Sequence, residues 1–281
     1  MTVKEVSQLV SQELSPLYPE TEIGSFVFLM FNHLMNFQRF DLHLKEAFEI
    51  SDHITVQIYD IIEQLKQHKP IQYILGTTEF YGLVLHVDES VLIPRPETEE
   101  LVEWIISDFG NFKPKIIDIG SGSGCIPIAL AKNIPGSEVF GADISEKAIV
   151  TSTKNASKNN VAVHFLELNI LSEELSDLGQ FNVIVSNPPY VTIEQKENME
   201  ANVIEYEPHV ALFVPKTDPL VFYKAICRFA RKQLRPNGAL YFEINEALHN
   251  ETAKAVEEFG FSTELRKDIN SKYRMLKATM K

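Results

Sequence analysis

A short corner at residues 187–190 carries the most specific chemistry in the chain. The β-branched run at 183–186 is followed directly by Asn187-Pro188-Pro189-Tyr190. Because proline has no backbone N–H and a fixed φ, the two prolines should end a strand and hold Asn187 at its carboxyl end. Asn187 Oδ1 and the Pro188 carbonyl can then each accept one N–H of a planar amino group, while the Tyr190 ring covers its flat face. The alternative is a strand-ending Pro-Pro turn with a surface tyrosine, and this motif alone does not decide between the two.

A glycine loop at residues 120–124 forms the second motif. It has the spacing G-x-G-x-G and follows a predicted strand at 115–119. Glycines allow a tight turn and close approach of a ligand to the backbone. The dinucleotide motif G-x-G-x-x-G and the G-K-[ST] ending of a P-loop are both missing, so these nucleotide interpretations lose ground. Asp143, at the end of the next predicted strand, can accept hydrogen bonds from two ribose hydroxyls. With Asp118 before the loop, it suits a cationic ligand better than a pyrophosphate.

These motifs in combination resemble S-adenosylmethionine-dependent methyltransferases that modify planar amino nitrogens. Further segments at 71–76, 92–99 and 206–212 narrow the resemblance. In this order, the segments are similar to the release-factor glutamine methyltransferases of the PrmC/HemK type. The run Arg95-Pro-Glu-Thr-Glu separates that family from nucleic-acid methyltransferases that share only the Asn-Pro-Pro-Tyr corner. The resemblance extends from about residue 70 to the C-terminus, whereas residues 1–69 agree mainly in being a helical segment of suitable length.

The resemblance implies a reaction and a set of site residues. The reaction is methyl transfer from S-adenosylmethionine to the side-chain amide nitrogen of the glutamine in the Gly-Gly-Gln motif of peptide chain release factors. The implied catalytic residues are Asn187, Pro188 and Tyr190, and the implied substrate-binding residues are Asn187, Pro188, Pro189 and Tyr190. The implied cofactor-binding residues are Gly120, Ser121, Gly122, Ser123, Gly124, Asp143, Ile170, Leu171 and Asn187. Since Asn169-Ile170-Leu171 departs from the family's Asp followed by bulky residues, we expect only apolar packing near the adenine from Ile170 or Leu171.

Two other functions are compatible with parts of this pattern. The exocyclic amine of adenine would satisfy the same Asn-Pro-Pro-Tyr corner, so an N6-adenine DNA or RNA methyltransferase is the alternative enzyme. A non-catalytic module that docks a partner through its N-terminal helices is also compatible with the fold. The net charge of −13 argues against the first, because proteins that neutralise phosphates need a basic surface. The glycine loop, Asp143 and Asn187 together argue against the second.

Composition indicates a cytoplasmic enzyme of two parts. The chain has 281 residues, more than the ~100–200 usual for one domain. No apolar run approaches the ~18 residues of a membrane span, and the start has no signal-peptide pattern. The two cysteines, Cys125 and Cys227, are far apart, so no disulfide framework or metal site is expected. We expect a monomer that binds release factors but neither nucleic acid nor membrane.

Periodicity predicts an α/β fold: a Rossmann-like S-adenosylmethionine-dependent methyltransferase domain preceded by a small helical bundle. The predicted parts are an N-terminal helical substrate-recognition domain at 1–69, a β-hairpin linker at 70–93 and the methyltransferase domain at 94–281. Apolar residues at helical spacing predict helices over 3–17, 26–35, 54–65 and 97–109. Alternating strands and helices predict a parallel sheet with helices on both faces, completed by a final strand pair. The predicted strands are 115–119, 138–142, 162–166, 181–186, 239–244, 261–266 and 273–279, and the predicted hairpin spans 71–93.

Overall fold

The computed structural model describes residues 1–172, 178–196 and 199–281. They form two compact units, Met1–Gly76 with Ala201–Tyr206 and Thr77–Glu200 with Glu207–Lys281. The three-part division stays a prediction, and its first boundary at residue 69 differs from the end of the first unit at Gly76. No helix in the described ranges has the length and apolar character needed to cross a membrane.

Helices occur in both units, and the longest of them is α2 in the first. In chain order they are α1 Val3–Leu14, α2 Glu20–Met35, α3 Asp41–Leu44, α4 Asp52–Lys66, α5 Ile71–Leu75, α6 Pro96–Phe109, α7 Cys125–Asn133, α8 Glu146–Lys158, α9 Ile193–Lys196, α10 Ala201–Tyr206, α11 His209–Leu212, α12 Val221–Gln233 and α13 His249–Glu258. A 3-10 helix at Glu246–Leu248 precedes α13.

The first unit packs α1, α2 and α4 around an apolar core that includes Val10, Phe31 and Ile62. A capping box starts α1, since the Thr2 side chain accepts from the Glu5 N–H and the Glu5 side chain accepts from the Thr2 N–H. The predicted helix over 3–17 therefore begins where expected but ends at Leu14. The short helix α10 joins this unit, and its last residue, Tyr206, donates a 2.8 Å hydrogen bond from its hydroxyl to the Gln67 carbonyl.

The hairpin predicted over 71–93 is wrong at both of its ends. Residues 71–75 form α5, which follows Pro70 and ends at Gly76 in the left-handed conformation with φ +69°. The hairpin itself consists of β1 Thr77–Phe80 and β2 Leu83–His86, paired antiparallel. Proline before a helix and glycine after it are common helix boundaries, so the sequence held a helical signal at 71–75.

In the described residues, the second unit contains a seven-stranded sheet of order β5-β4-β3-β6-β7-β9-β8. Five strands from β5 to β7 run parallel, and β9 pairs antiparallel with both β7 and β8. The strands are β3 Lys115–Ile119, β4 Glu138–Asp143, β5 His164–Glu167, β6 Phe181–Ser186, β7 Leu234–Glu243, β8 Phe261–Lys267 and β9 Tyr273–Met280. The predicted bounds of β3 and β6 are confirmed, whereas β5 begins two residues later than predicted and β7 five residues earlier.

Alternate residues of the central strands enter two separate cores. Ile116 and Val183 pack with α6 and α7 on one face of the sheet, whereas Ile117 and Ile184 pack with α12 and α13 on the other. Because side chains alternate along a strand, strands that are buried on both faces read as continuous apolar runs. This confirms the prediction of a Rossmann-like fold with helices on both faces.

The strand order reverses between β3 and β6, which are hydrogen-bonded neighbours. From β3, the chain moves outward to β4 and β5 before it returns to the other side of β3 as β6. In open α/β sheets, ligands bind in the crevice outside the carboxyl ends of the strands at this reversal. The loop at 120–124 follows β3 and the corner at 187–190 follows β6, so both sequence motifs lie at that edge.

Candidate active site

Two glycines of the loop after β3 face open space, and the third faces the protein interior. The loop turns with φ of +79° at Gly120, +51° at Gly122 and +82° at Gly124. A Cβ at Gly120 or Gly122 would meet no heavy atom within 4 Å, whereas a Cβ at Gly124 would lie 2.9 Å from both Ile128 Cδ1 and Ser152 Cβ. Gly120 and Gly122 line a cleft at this edge of the sheet. The first two glycines therefore leave room for a ligand, and Gly124 allows α7 to pack closely.

The Asp143 carboxylate ties this loop to the end of β4. Its Oδ2 accepts a 2.8 Å hydrogen bond from the Gly122 N–H, and its Oδ1 accepts a 2.9 Å bond from the Ser145 N–H. Each carboxylate oxygen has about two acceptor positions, so both atoms retain capacity for a ligand hydroxyl. Asp143 also lines the cleft. The carboxylate can hold the loop in shape and accept from a bound ribose at the same time.

Asp118 is a fully buried carboxylate next to the loop. Neither of its oxygens has a hydrogen-bond partner among the described residues. Burial, together with repulsion from Asp143, raises the pKa of Asp118 well above its usual range. A buried carboxylate without a partner favours a nearby positive charge. A cation bound beside the loop would lower this pKa and favour the charged carboxylate.

The corner after β6 presents Asn187 to the same cleft. Asn187, Pro188 and Pro189 all line it. The preceding Ser186 anchors the corner, because its hydroxyl donates a 2.5 Å hydrogen bond to the Ile119 carbonyl at the end of β3. Asn187 Nδ2 donates to Thr98 Oγ1 at 3.4 Å. Tyr190 is partly buried, is not among the lining residues, and donates a 2.8 Å hydrogen bond from its hydroxyl to Glu243 Oε1.

Glu243 joins two of these groups from below the corner. It is 1% exposed at the end of β7, and its Oε2 accepts a 2.6 Å hydrogen bond from the Thr98 hydroxyl. Burial raises the pKa of Glu243, while the hydrogen bonds from Thr98 and Tyr190 act in the opposite direction. Burial also raises the pKa of Tyr190, and the neighbouring Glu243 charge adds to that effect. The tyrosine therefore stays a neutral hydrogen-bond donor.

The cleft contains about 1020 Å³ of space outside the atoms, including open solvent at its mouth. Of the sequence-predicted site residues, the structure brings together Gly120, Gly122, Asp143, Ile170, Leu171, Asn187, Pro188 and Pro189 along its walls. Ser121, Ser123, Gly124 and Tyr190 are not among the lining residues. Ser121 and Ser123 are buried instead, at 4% and 2% exposure. The roles assigned to these residues stay predictions.

Two parts of the cleft wall have no role in the sequence prediction, namely residues 90–92 and the group Pro208, Val210 and Ala211. Glu207, which precedes the second of these parts, is hydrogen-bonded to two residues that follow the first. Its Oε1 accepts a 2.6 Å bond from Arg95 Nη2, and its Oε2 accepts a 3.4 Å bond from the Ile93 N–H. The available signal was the family resemblance of the segments 92–99 and 206–212, which include Arg95 and Glu207. Thr98 belongs to the first of these segments, whereas Glu243 lies in neither.

The glycine loop, the acid at the end of β4 and the Asn-Pro-Pro-Tyr corner at the switch point define a Rossmann-like methyltransferase domain. The family model "Methyltransferase small domain" matches residues 98–210, and "PrmC N-terminal domain" matches residues 8–76. The release factor glutamine methyltransferase of Flavobacterium psychrophilum is 46% identical over 100% of both chains, and that of Bacteroides thetaiotaomicron is 38% identical over 97% of this chain and 98% of its own. The chain belongs to the release factor glutamine methyltransferase family.

Solved structures support the fold. A methyltransferase from Pyrococcus furiosus is similar with a TM-score of 0.53 and 17% identity, covering 81% of this chain and 98% of its own. A 16S rRNA methyltransferase from T. thermophilus, in complex with AdoMet and guanosine, has a TM-score of 0.54 and 21% identity, covering 73% of this chain and 50% of its own. At these identities the likeness extends to the fold alone.

Proposed function

We propose that this chain transfers a methyl group from S-adenosylmethionine to the side-chain amide nitrogen of the glutamine in the Gly-Gly-Gln motif of peptide chain release factors. One observation carries the proposal: Asn187 lines the same cleft as Gly120, Gly122 and Asp143. An acceptor corner for a planar amide thus lies beside a loop suited to the methyl donor. The relatives named release factor glutamine methyltransferase support the choice of substrate.

The residues around the loop fit S-adenosylmethionine, which supplies an electrophilic methyl group on a positively charged sulfur when bound. A cation bound near the loop would lower the raised pKa of the unpartnered Asp118 carboxyl and favour its charged form. Asp143 has acceptor capacity for ribose hydroxyls. Ile170, which is 9% exposed, and Leu171, which is 42% exposed, give the cleft an apolar wall against which the adenine can pack.

At the corner, Asn187 and Pro188 orient the acceptor nitrogen. An amide nitrogen is a poor nucleophile because its lone pair is delocalised into the carbonyl. Asn187 Oδ1 and the Pro188 carbonyl each accept a hydrogen bond from one N–H of the substrate amide. These two bonds point the nitrogen lone pair at the methyl carbon and stabilise the positive charge that develops on the nitrogen. These N–H groups become more acidic during transfer, so the two hydrogen bonds strengthen in the transition state. As the new C–N bond forms, the methyl–sulfur bond would break with its electron pair left on sulfur. The nitrogen would then give one proton to water, so no strong general base is needed.

Positioning accounts for most of the catalysis in this proposal. Holding two reactants in line can contribute several kcal/mol, about 7 in favourable cases. Tyr190 packs on the plane of the acceptor amide, and the small glycines of the Gly-Gly-Gln motif let the glutamine enter a narrow cleft. The acidic balance of the chain, with 26 Lys+Arg against 39 Asp+Glu, supports a protein substrate over a nucleic acid. That the chain is a cytoplasmic monomer stays a prediction.

Transfer of labelled methyl from S-adenosylmethionine to a purified bacterial release factor tests the proposal. We expect label on the wild-type factor and none on a factor whose Gly-Gly-Gln glutamine is replaced by alanine. Asn187→Ala should lower kcat by about 10²–10³-fold, the usual effect of removing one group that stabilises transition-state charge. Its affinity for S-adenosylmethionine, measured by calorimetry, should stay close to that of the wild type.

Three results would contradict parts of this proposal. Label on a duplex DNA control, in place of the factor, would favour the adenine methyltransferase. Substantial turnover by Asn187→Ala would remove this residue from its assigned role. No label on any acceptor, despite measurable cofactor binding, would show that the substrate belongs to another class.

A further inference from the structure

A chain of hydrogen bonds leads from the buried Glu243 to the amide of Asn187. The Thr98 hydroxyl donates to Glu243 Oε2 at 2.6 Å, and Asn187 Nδ2 donates to Thr98 Oγ1 at 3.4 Å. Thr98 is 2% exposed and Glu243 is 1% exposed, so water does not replace either partner freely. The three residues come from α6, β7 and the corner after β6, and their contacts therefore depend on the packed sheet.

The direction of these bonds determines which end of the Asn187 amide faces Thr98. A carboxylate only accepts hydrogen bonds, so the single hydroxyl hydrogen of Thr98 is used in the bond to Glu243. The Thr98 oxygen then has only lone pairs left to offer, and the donor Nδ2 of Asn187 is the amide end that can meet it. Oδ1 is consequently the end left for an acceptor substrate. A flipped Asn187 would present two N–H donors to the N–H groups of the substrate amide.

The same carboxylate also holds the last residue of the corner. Its other oxygen accepts from the Tyr190 hydroxyl at 2.8 Å. Asn245, two residues further along the chain, donates from Nδ2 to the Tyr190 carbonyl at 2.9 Å. The last residue of β7 therefore holds the side chain of Tyr190, and Asn245 just after β7 holds its backbone. Glu243 thus fixes both ends of the Asn-Pro-Pro-Tyr corner through separate oxygens.

We propose that Thr98 and Glu243 are positioning residues that set the orientation of the Asn187 amide, so that its oxygen accepts from the substrate. The proposal rests on the proposed function for its effect on methyl transfer, whereas the orientation itself is a property of the protein alone. Neither residue touches the reacting atoms.

Replacing Thr98 by valine and by serine separates the hydrogen bond from the packing. Thr98→Val keeps the shape of the side chain but removes both the donor and the acceptor, so Asn187 can flip. We expect kcat for the release factor to fall by on the order of 100-fold, the effect of a small misplacement of a reacting group. The Kd for S-adenosylmethionine should stay within about twofold, since changes at the acceptor corner leave the loop in place. Thr98→Ser retains the hydroxyl and should recover most of the lost kcat.

A buried threonine elsewhere in the fold provides the matched control. Thr252 on α13 is fully buried, and its hydroxyl has no hydrogen-bond partner among the described residues. Thr252→Val makes the same chemical change outside the network and should leave kcat unchanged.

Glu243→Gln is the second variant. The glutamine amide can donate a hydrogen bond to Thr98, so that the threonine hydroxyl is free to donate to Asn187 Oδ1. This variant should lower kcat, with cofactor affinity retained.

A measurement without substrate keeps this inference separate from the proposed function. The side-chain amide protons of Asn187, assigned by comparison with Asn187→Ala in NMR spectra, should include one that exchanges slowly in the wild type. That protection should be lost in Thr98→Val and kept in Thr98→Ser. Equal kcat in Thr98→Val and the wild type, or no rescue by serine, would overturn the proposal. If the wild type fails to methylate the release factor, the proposed function fails and the exchange data alone decide the orientation.

Discussion

Two neighbouring glycine substitutions should fail in different ways. Gly122 and Gly124 both have positive φ, +51° and +82°, so alanine at either position carries the ~1–2 kcal/mol cost of a left-handed backbone. A Cβ at Gly122 would meet nothing within 4 Å, whereas one at Gly124 would lie 2.9 Å from Ile128 Cδ1 and Ser152 Cβ. The first points into the cleft that should hold the methyl donor, and the second points into packed protein.

The magnitudes follow from this geometry. Gly124→Ala adds an overpacking cost of ~1–3 kcal/mol, for a total loss of about 2–5 kcal/mol in the free energy of unfolding. At roughly 2–4 °C per kcal/mol, the midpoint of thermal unfolding of the Gly124→Ala variant should fall by about 4–20 °C. Gly122→Ala should lose only about 2–8 °C by the same conversion. If its methyl group displaces the bound donor at a similar overpacking cost, the Kd for S-adenosylmethionine should rise about 5- to 150-fold.

Gly82 supplies the control for the backbone effect. It has φ +71° in the turn between β1 and β2, and a Cβ there would also meet nothing within 4 Å. Gly82→Ala should therefore lose as much stability as Gly122→Ala but should bind S-adenosylmethionine as tightly as the wild type. Thermal unfolding followed by fluorescence and titration calorimetry measure both quantities. Unchanged affinity in Gly122→Ala would refute the placement of the donor over the loop, and equal midpoints for Gly122→Ala and Gly124→Ala would refute the packing argument.

Two carboxylates near the loop give further predictions. Asp143→Ala removes the acceptor for the Gly122 N–H and should lower the affinity for S-adenosylmethionine at least tenfold. This factor corresponds to the lower range for a hydrogen bond to a charged group. Unchanged affinity by calorimetry would exclude Asp143 from the ribose site. Because burial raises the pKa of Asp118, this carboxyl contributes stability below its unfolded pKa of about 3.9 and loses it as pH rises through the raised value. Asp118→Asn should therefore raise the unfolding midpoint more at pH 8 than at pH 5, and the reverse order in melting curves would contradict the shift.

The central strands could be predicted from sequence because local signals delimit them. Residues 181–186 are mostly apolar and are followed by Asn187 and two prolines, so the predicted bounds of β6 coincide with the structure. The sequence predicts a hairpin that includes residues 71–75 because Gly76 lies before, and Gly82 among, the apolar and aromatic residues at 80–85. Short apolar runs do not distinguish strand from helix, and in this segment Pro70 and Gly76 mark a helix.

The candidate site can be predicted from the sequence where its residues belong to recognisable local motifs. Gly120, Gly122 and Asn187 sit in recognisable local motifs, and all three line the cleft. Thr98 and Glu243 are 145 positions apart, and the hydrogen bond between them exists only because α6 packs beside the end of β7. A single sequence does not specify such a contact, so the hydrogen bonds that hold Asn187 through Thr98 and Glu243 are visible only in the structure.

The membership of α10 in the first unit has a consequence for synthesis on the ribosome. Residues up to Gly76 emerge early, but this unit also includes Ala201–Tyr206, which carries the Tyr206 bond to the Gln67 carbonyl. The helical unit therefore becomes complete only after most of the second unit, including β6 and its corner, has been translated. A nascent chain stopped before residue 201 would lack one helix of its N-terminal unit, and no single uninterrupted stretch of the gene encodes that unit alone.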